Sequence, residues 1–176
     1  MNPRTLVAFF LGLNLCLSLA GPAAAAPPTR KKFETPAPTP AVPEVPIFDS
    51  EAVGEKQIAD YQKVCLDSGR RLLIVFGTND CAPCRAFNRA LHKDKFFEPF
   101  VNQFVPVFVD VSSGENASLL VRYNIDTHAE QPGIVILMPD ARIIEVLAHG
   151  EMAALTRKGD AAVQEFFLAR FLKTEK

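Results

Sequence analysis

The chemistry available to this chain is concentrated in one tetrapeptide, Cys81-Ala82-Pro83-Cys84. Two thiols three residues apart at the start of a helix stand one turn from each other. They can exchange a disulfide, hold a static one, or offer two soft ligands to a metal ion. Structural zinc would need a second ligand pair, and no second C-x-x-C exists. Covalent haem would need His after the second cysteine, where Arg85 stands. A copper or zinc site completed by His128 or His149 stays open, as does an inert disulfide; the surroundings of the pair favour redox exchange.

Those surroundings are a buried strand, a turn and a helix start. Leu72-Leu73-Ile74-Val75-Phe76 is an unbroken apolar run, the pattern of a strand covered on both faces. Residues 77–80 form a turn, and a helix opens within Cys81–Cys84 with Pro83 in its first turn, running to about His92. There Cys81 meets unpaired backbone N–H groups and the positive end of the helix dipole, which favour a thiolate. A fall in its pKa from ~8.5 to ~7 would raise the thiolate fraction at pH 7 about 16-fold. Lower intrinsic nucleophilicity would cut the net gain to about threefold. The larger benefits are a sulfur that leaves well and a partner held one turn away. Cys81 is therefore the attacking thiol and Cys84, a turn deeper, the resolving one. Arg85 favours the thiolate and Asp80 opposes it.

The rest of the chain supplies a scaffold. Ser50 can cap a helix from Glu51, with Ile58, Tyr61 and Cys65 at helical spacing and Gly69 as its stop. Cys65 on that stripe reads as a buried, inert thiol. A second helical stretch covers residues 96–103, a strand residues 105–111, and a short helix residues 117–123. Residues 133–138 and 142–147 flank a Pro139-Asp140 turn as a hairpin. A last amphipathic helix opens at Asp160, with Val163, Phe166, Phe167 and Phe171 on one stripe. The order α-β-α-β-α-β-β-α implies an α/β fold, with a central sheet covered on both faces and ending in an antiparallel pair.

The chain has 176 residues, 48% of them hydrophobic and 22% charged, with a net charge of −1. That composition excludes a wholly disordered chain and a polybasic nucleic-acid binder. Position says more. Arg4 precedes an apolar run from Leu6 to Ala20, followed by A-x-A patterns at Ala23 and Ala25 or Ala24 and Ala26. Residues 1–26 therefore read as a secretory signal peptide. Cys16 follows Leu15, where a lipoprotein signal needs a small residue, so Cys16 goes with the removed segment. Residues 27–46 contain seven prolines, an extended linker able to span ~60 Å. The expectation is an exported domain of residues 47–176, in the bacterial periplasm, or tethered to the membrane if the leader is not cleaved. Its charge of −3 offers nothing to nucleic acid.

Taken together, these features resemble the thioredoxin superfamily. The resemblance rests on the strand Leu72 to Phe76, Cys81-Ala82-Pro83-Cys84, the strand ending at Asp110, Tyr123-Asn124-Ile125, and Gln131-Pro132 opening a strand. It covers most of Glu51 to Lys176 in the family's order. It implies a thioredoxin-like fold, with a mixed sheet flanked by helices on both faces. It implies thiol–disulfide exchange at Cys81 and Cys84 with protein substrates, without a bound cofactor or metal. Pro132 matches the family's cis-proline, and Gln131 and Pro132 would line the substrate groove. Pro within C-x-P-C resembles reducing members; a reductase in an oxidising compartment needs an electron donor, inferred to be a membrane reductase. A monomer is expected.

The chain also departs from the family. Asp80 stands where the family usually has Trp, Val75 replaces its buried acid, and the neighbouring lysine falls near Pro106. Three extra residues separate Ile125 from Pro132 and bring His128 toward the expected rim. The alternatives are a copper metallochaperone using the cysteine pair and a His, or a binding domain whose disulfide never turns over.

Overall fold

The apolar run after Arg70 becomes the centre of the molecule. A computed structural model of the chain describes residues 45–172. The leader at 1–26 and nearly all of the proline-rich stretch at 27–46 lie outside the described residues. The elements in order are α1 (Gly54–Ser68), β1 (Arg71–Gly77), α2 (Ala82–Leu91), α3 (Asp94–Val101), β2 (Phe104–Asp110), α4 (Ala117–Arg122), β3 (Gly133–Leu137), β4 (Ile143–Leu147), α5 (Glu151–Arg157) and α6 (Asp160–Arg170). The sheet order is β2-β1-β3-β4. β1 runs parallel to β2 and antiparallel to β3, and β4 closes the antiparallel hairpin.

With neighbours on both sides and helices on both faces, every residue of β1 from Leu72 to Gly77 is buried. Alternation divides the strand between two cores. Leu73 and Val75 pack with Cys84, Phe87 and Met152 under α2, α5 and α6. Leu72, Ile74 and Phe76 pack with Ile58 and Cys65 of α1 and Leu119 of α4. Many of the phenylalanines fill the first core: Phe96, Phe100, Phe104 and Phe167 stack or meet edge to face with centroids 5.2–6.4 Å apart. The α/β architecture, a mixed sheet with helices on both faces, matches the sequence expectation.

Three local expectations are corrected. Ser50 does not cap the first helix, which begins at Gly54. The Gly54 N–H donates to Oδ1 of the buried Asn116, 2.9 Å away and 62 residues downstream, while residues 49–52 turn on themselves. Tyr61 is 41% exposed, so the buried stripe of α1 is carried by Ile58 and Cys65. A helix at Glu151–Arg157, not foreseen, follows Gly150, whose φ is 83°. Among the described residues no helix is long and apolar enough to cross a membrane.

Candidate active site

β1 delivers its last residue, Gly77, to the carboxyl end of the sheet, where the chain turns through residues 78–80. The Cys81 N–H closes that turn on Thr78 O at 3.2 Å. Cys81 then serves as the N-cap of α2, with Pro83 in the first turn, where its missing N–H leaves no bond unmade. Cys81 and Cys84 form a disulfide with Cα atoms 5.2 Å apart. The Cys84 N–H donates to Cys81 Sγ at 3.1 Å, so the cap bond of the helix is made by the sulfur. Cys81 is half-buried and reaches solvent; Cys84 is fully buried. The two sulfurs of the pair thus differ in their access to solvent.

Below the pair the surroundings are apolar. Val75, at the family's acidic position, belongs to the same buried cluster as Cys84, and Pro106 pairs with Leu73 in the sheet. Asp110, across the sheet from Gly77, is buried, and its carboxylate accepts the N–H and hydroxyl of Ser112. Arg85 turns back to donate to Asn79 O at 2.6 Å.

Facing Cys81 across an open groove is the loop before β3. Thr78, Asp80, Cys81 and Pro83 line one side and residues 129–131 the other. The Gln131–Pro132 peptide bond is cis; Gln131 lines the groove and Pro132 is buried. The loop is held at several points. The Asp126 N–H donates to Ala148 O at 3.3 Å. The Asp126 carboxylate accepts the His128 N–H at 2.8 Å and lies 3.6 Å from His149 Nδ1. Glu130 pairs with Arg157 of α5. The His128 N–H, aided by the His149 side chain, holds the Asp126 carboxyl below the usual carboxylate range.

Neither histidine joins the cysteines. His128 is exposed and outside the lining of the groove, and His149 faces Asp126. Among the described residues no group of three or more His, Cys, Asp and Glu side chains is arranged to hold a metal ion. Cys65 is buried on the opposite face of the sheet, and burial pushes its thiol pKa up.

Sequence reasoning missed Asn79. Its Oδ1 accepts the N–H groups of Ile47 and Phe48 at 2.9 and 3.0 Å, and its Nδ2 donates to Phe48 O at 2.9 Å. One side chain thereby clamps the backbone of Ile47 and Phe48 near the cysteines. An asparagine next to a Gly-Thr turn is common enough that only contacts 31–32 residues away distinguish it.

Residues 56–139 match a family model described as thioredoxin-like. Among solved structures, a disulphide isomerase from Xylella fastidiosa Temecula1 superposes with a TM-score of 0.63 at 25% identity, covering 74% of this chain and 98% of that one. The germline-specific thioredoxin Deadhead of Drosophila melanogaster gives 0.42 at 19% identity, covering 58% and 90%. The oxidised C-terminal domain of Neisseria meningitidis DsbD gives 0.43 at 15%, covering 60% and 95%. No curated protein sequence matches the chain.

Proposed function

We propose that this chain, which belongs to the thioredoxin superfamily, is an exported thiol–disulfide oxidoreductase that reduces disulfides of protein substrates. The observation that carries this reading is the Cys81–Cys84 disulfide itself. One sulfur opens on a groove and the other is buried beneath it. The similarity to a disulphide isomerase supports the same chemistry.

In the reduced protein the Cys81 thiolate attacks one sulfur of a substrate disulfide. A Cys81–substrate bond forms, the substrate S–S bond breaks, and the other substrate sulfur leaves as a thiolate. Cys84 then loses its proton and attacks the Cys81 sulfur, expelling the second substrate thiolate and closing the Cys81–Cys84 bond. Two electrons have passed to the substrate, and two protons from solvent complete its thiols. The backbone before Pro132 and the side chain of Gln131 hold the substrate across the groove. The cysteines carry the electrons, so no cofactor takes part.

Export rests on Arg4, the apolar run to Ala20 and the A-x-A patterns, and the compartment proposed is the bacterial periplasm. A reductase there is returned to the dithiol form by a donor of two electrons, for which a membrane dithiol reductase is the chemical class. The domain works as a monomer.

The test is Cys84→Ser. Without the resolving thiol, mixed disulfides with substrates should accumulate and appear as high-mass bands on non-reducing gels, and a second substitution, Cys81→Ser, should abolish them. Absence of such bands would end the exchange mechanism. Equilibration with glutathione buffers then fixes the direction, since ~30 mV corresponds to about tenfold in equilibrium for this couple. A potential well below the local poise supports reduction, and a strongly oxidising one reverses the assignment.

A further inference from the structure

The clamp made by Asn79 has a target. The segment it holds carries Phe48, which is buried to 1% exposure. Two hydrogen bonds to Asn79 fix the Phe48 backbone, and a third fixes the N–H of Ile47 before it. The next residue, Asp49, bridges Val109 at the edge of the sheet, and the Phe48 ring meets Phe108 edge to face at 5.6 Å. The ring is thereby directed at Gly77. A Cβ placed on Gly77 would lie 2.7 Å from Phe48 Cζ and 2.7 Å from Cys84 Sγ, so the ring edge and the sulfur share the space above this glycine.

We infer that Asn79 and Phe48 act as positioning residues for the resolving cysteine: Asn79 pins Phe48, and the Phe48 ring keeps solvent off the Cys84 sulfur. The idea rests on the exchange mechanism for its purpose but not for its geometry. A thiol kept from water is disfavoured as an anion. Burial of Cys84 therefore works against its thiolate, and Cys81 is the sulfur that meets the substrate. Cys84 turns nucleophile only once a mixed disulfide has formed one turn away. The charged residues around this segment have partners of their own or face solvent. Arg85 is directed to Asn79 O, the Asp110 carboxylate is engaged by Ser112, and Asp80 is exposed on the groove side. The turn residue two places before the first cysteine thus tunes the second one through a phenylalanine 31 residues upstream.

The protein contains its own control. Cys65 is equally buried but lies in the other core, away from Phe48. In a Cys81→Ser background, the rates at which iodoacetamide alkylates Cys84 and Cys65 can be followed separately by peptide mass spectrometry. Phe48→Ala should accelerate Cys84 at least about threefold at pH 7, the net gain when a thiol pKa falls by about one unit. Cys65 should stay as slow as before. Asn79→Ala should act in the same direction, and Phe48→Leu, which keeps an apolar cover, should restore most of the protection.

Unchanged Cys84 labelling in Phe48→Ala would overturn the inference. So would a parallel rise at Cys65, because that reports loosening of the whole domain. If only Asn79→Ala is silent, the pinning role is lost. Alkylation needs no substrate, so a protein that fails to exchange with glutathione yet shows the protection would sink the proposed function and leave the shielding standing.

Discussion

The backbone N–H of Cys84 donates to the sulfur of Cys81 across 3.1 Å, which makes the reactive atom the cap of its own helix. A hydrogen bond to an anionic acceptor is about twice as strong as one to a neutral acceptor. Reducing the disulfide therefore leaves Cys81 as the sulfur best suited to carry charge, while Cys84 is buried. With limiting iodoacetamide, the reduced native protein should be labelled at Cys81 ahead of Cys84 by about tenfold or more. Peptide mapping checks the ratio; equal labelling would reverse the order of attack.

Gly77 tolerates no side chain. Its Cβ would press on a sulfur locked in a disulfide and on a buried ring, neither of them the free end of a flexible chain. Gly77→Ala should cost ~1–3 kcal/mol, as overpacking generally does. Calorimetry should find the midpoint lowered by roughly 4 °C per kcal/mol in a domain of this size. A variant melting with the parent would mean that the ring or the sulfur moves aside freely.

Gln131 lines the groove opposite Cys81. Gln131→Ala should slow reduction of a folded protein disulfide about fivefold, the worth of one hydrogen bond near 1 kcal/mol. The rate with dithiothreitol, too small to use the far wall, should not change. Parallel losses with both partners would place the residue in the chemistry rather than in substrate holding.

The loop carrying Gln131 depends on Asp126, whose carboxyl is held below its ordinary range chiefly by the His128 N–H. A carboxylate depressed in the folded state stabilises it above the unfolded pKa and loses that contribution as pH falls through the folded value. Asp126→Ala should therefore melt below the parent at pH 7, and the gap should close below about pH 4. Melting curves from pH 7 to pH 3 test this, and a constant gap would detach the effect from ionisation.

The parts of the molecule written in local patterns were legible in the sequence. The run from Leu72 to Phe76 has no polar alternation because it lies between two strands and two helical layers, and burial on both faces leaves that signature. Pro83 and the cysteines announced a helix start because the first turn accepts such residues. What escaped depends on partners far along the chain. The start of α1 is fixed by Asn116, and the clamp on Phe48 by Asn79. The seven residues of α5 begin after a left-handed glycine without a side-chain cap, so no flanking residue marked them.

One consequence of the sheet concerns the odd thiol. Cys65 and Cys84 are buried in different cores, with β1 between them. Once folded, the domain holds the free thiol of Cys65 on one side of the sheet and the Cys81–Cys84 disulfide on the other, so the two cannot exchange without unfolding. The hazard belongs to the nascent chain, where Cys65 is one of several equivalent thiols. In the oxidising compartment proposed above, correct pairing of Cys81 with Cys84 is thus a matter of timing: β1 must be in place before the thiols are oxidised.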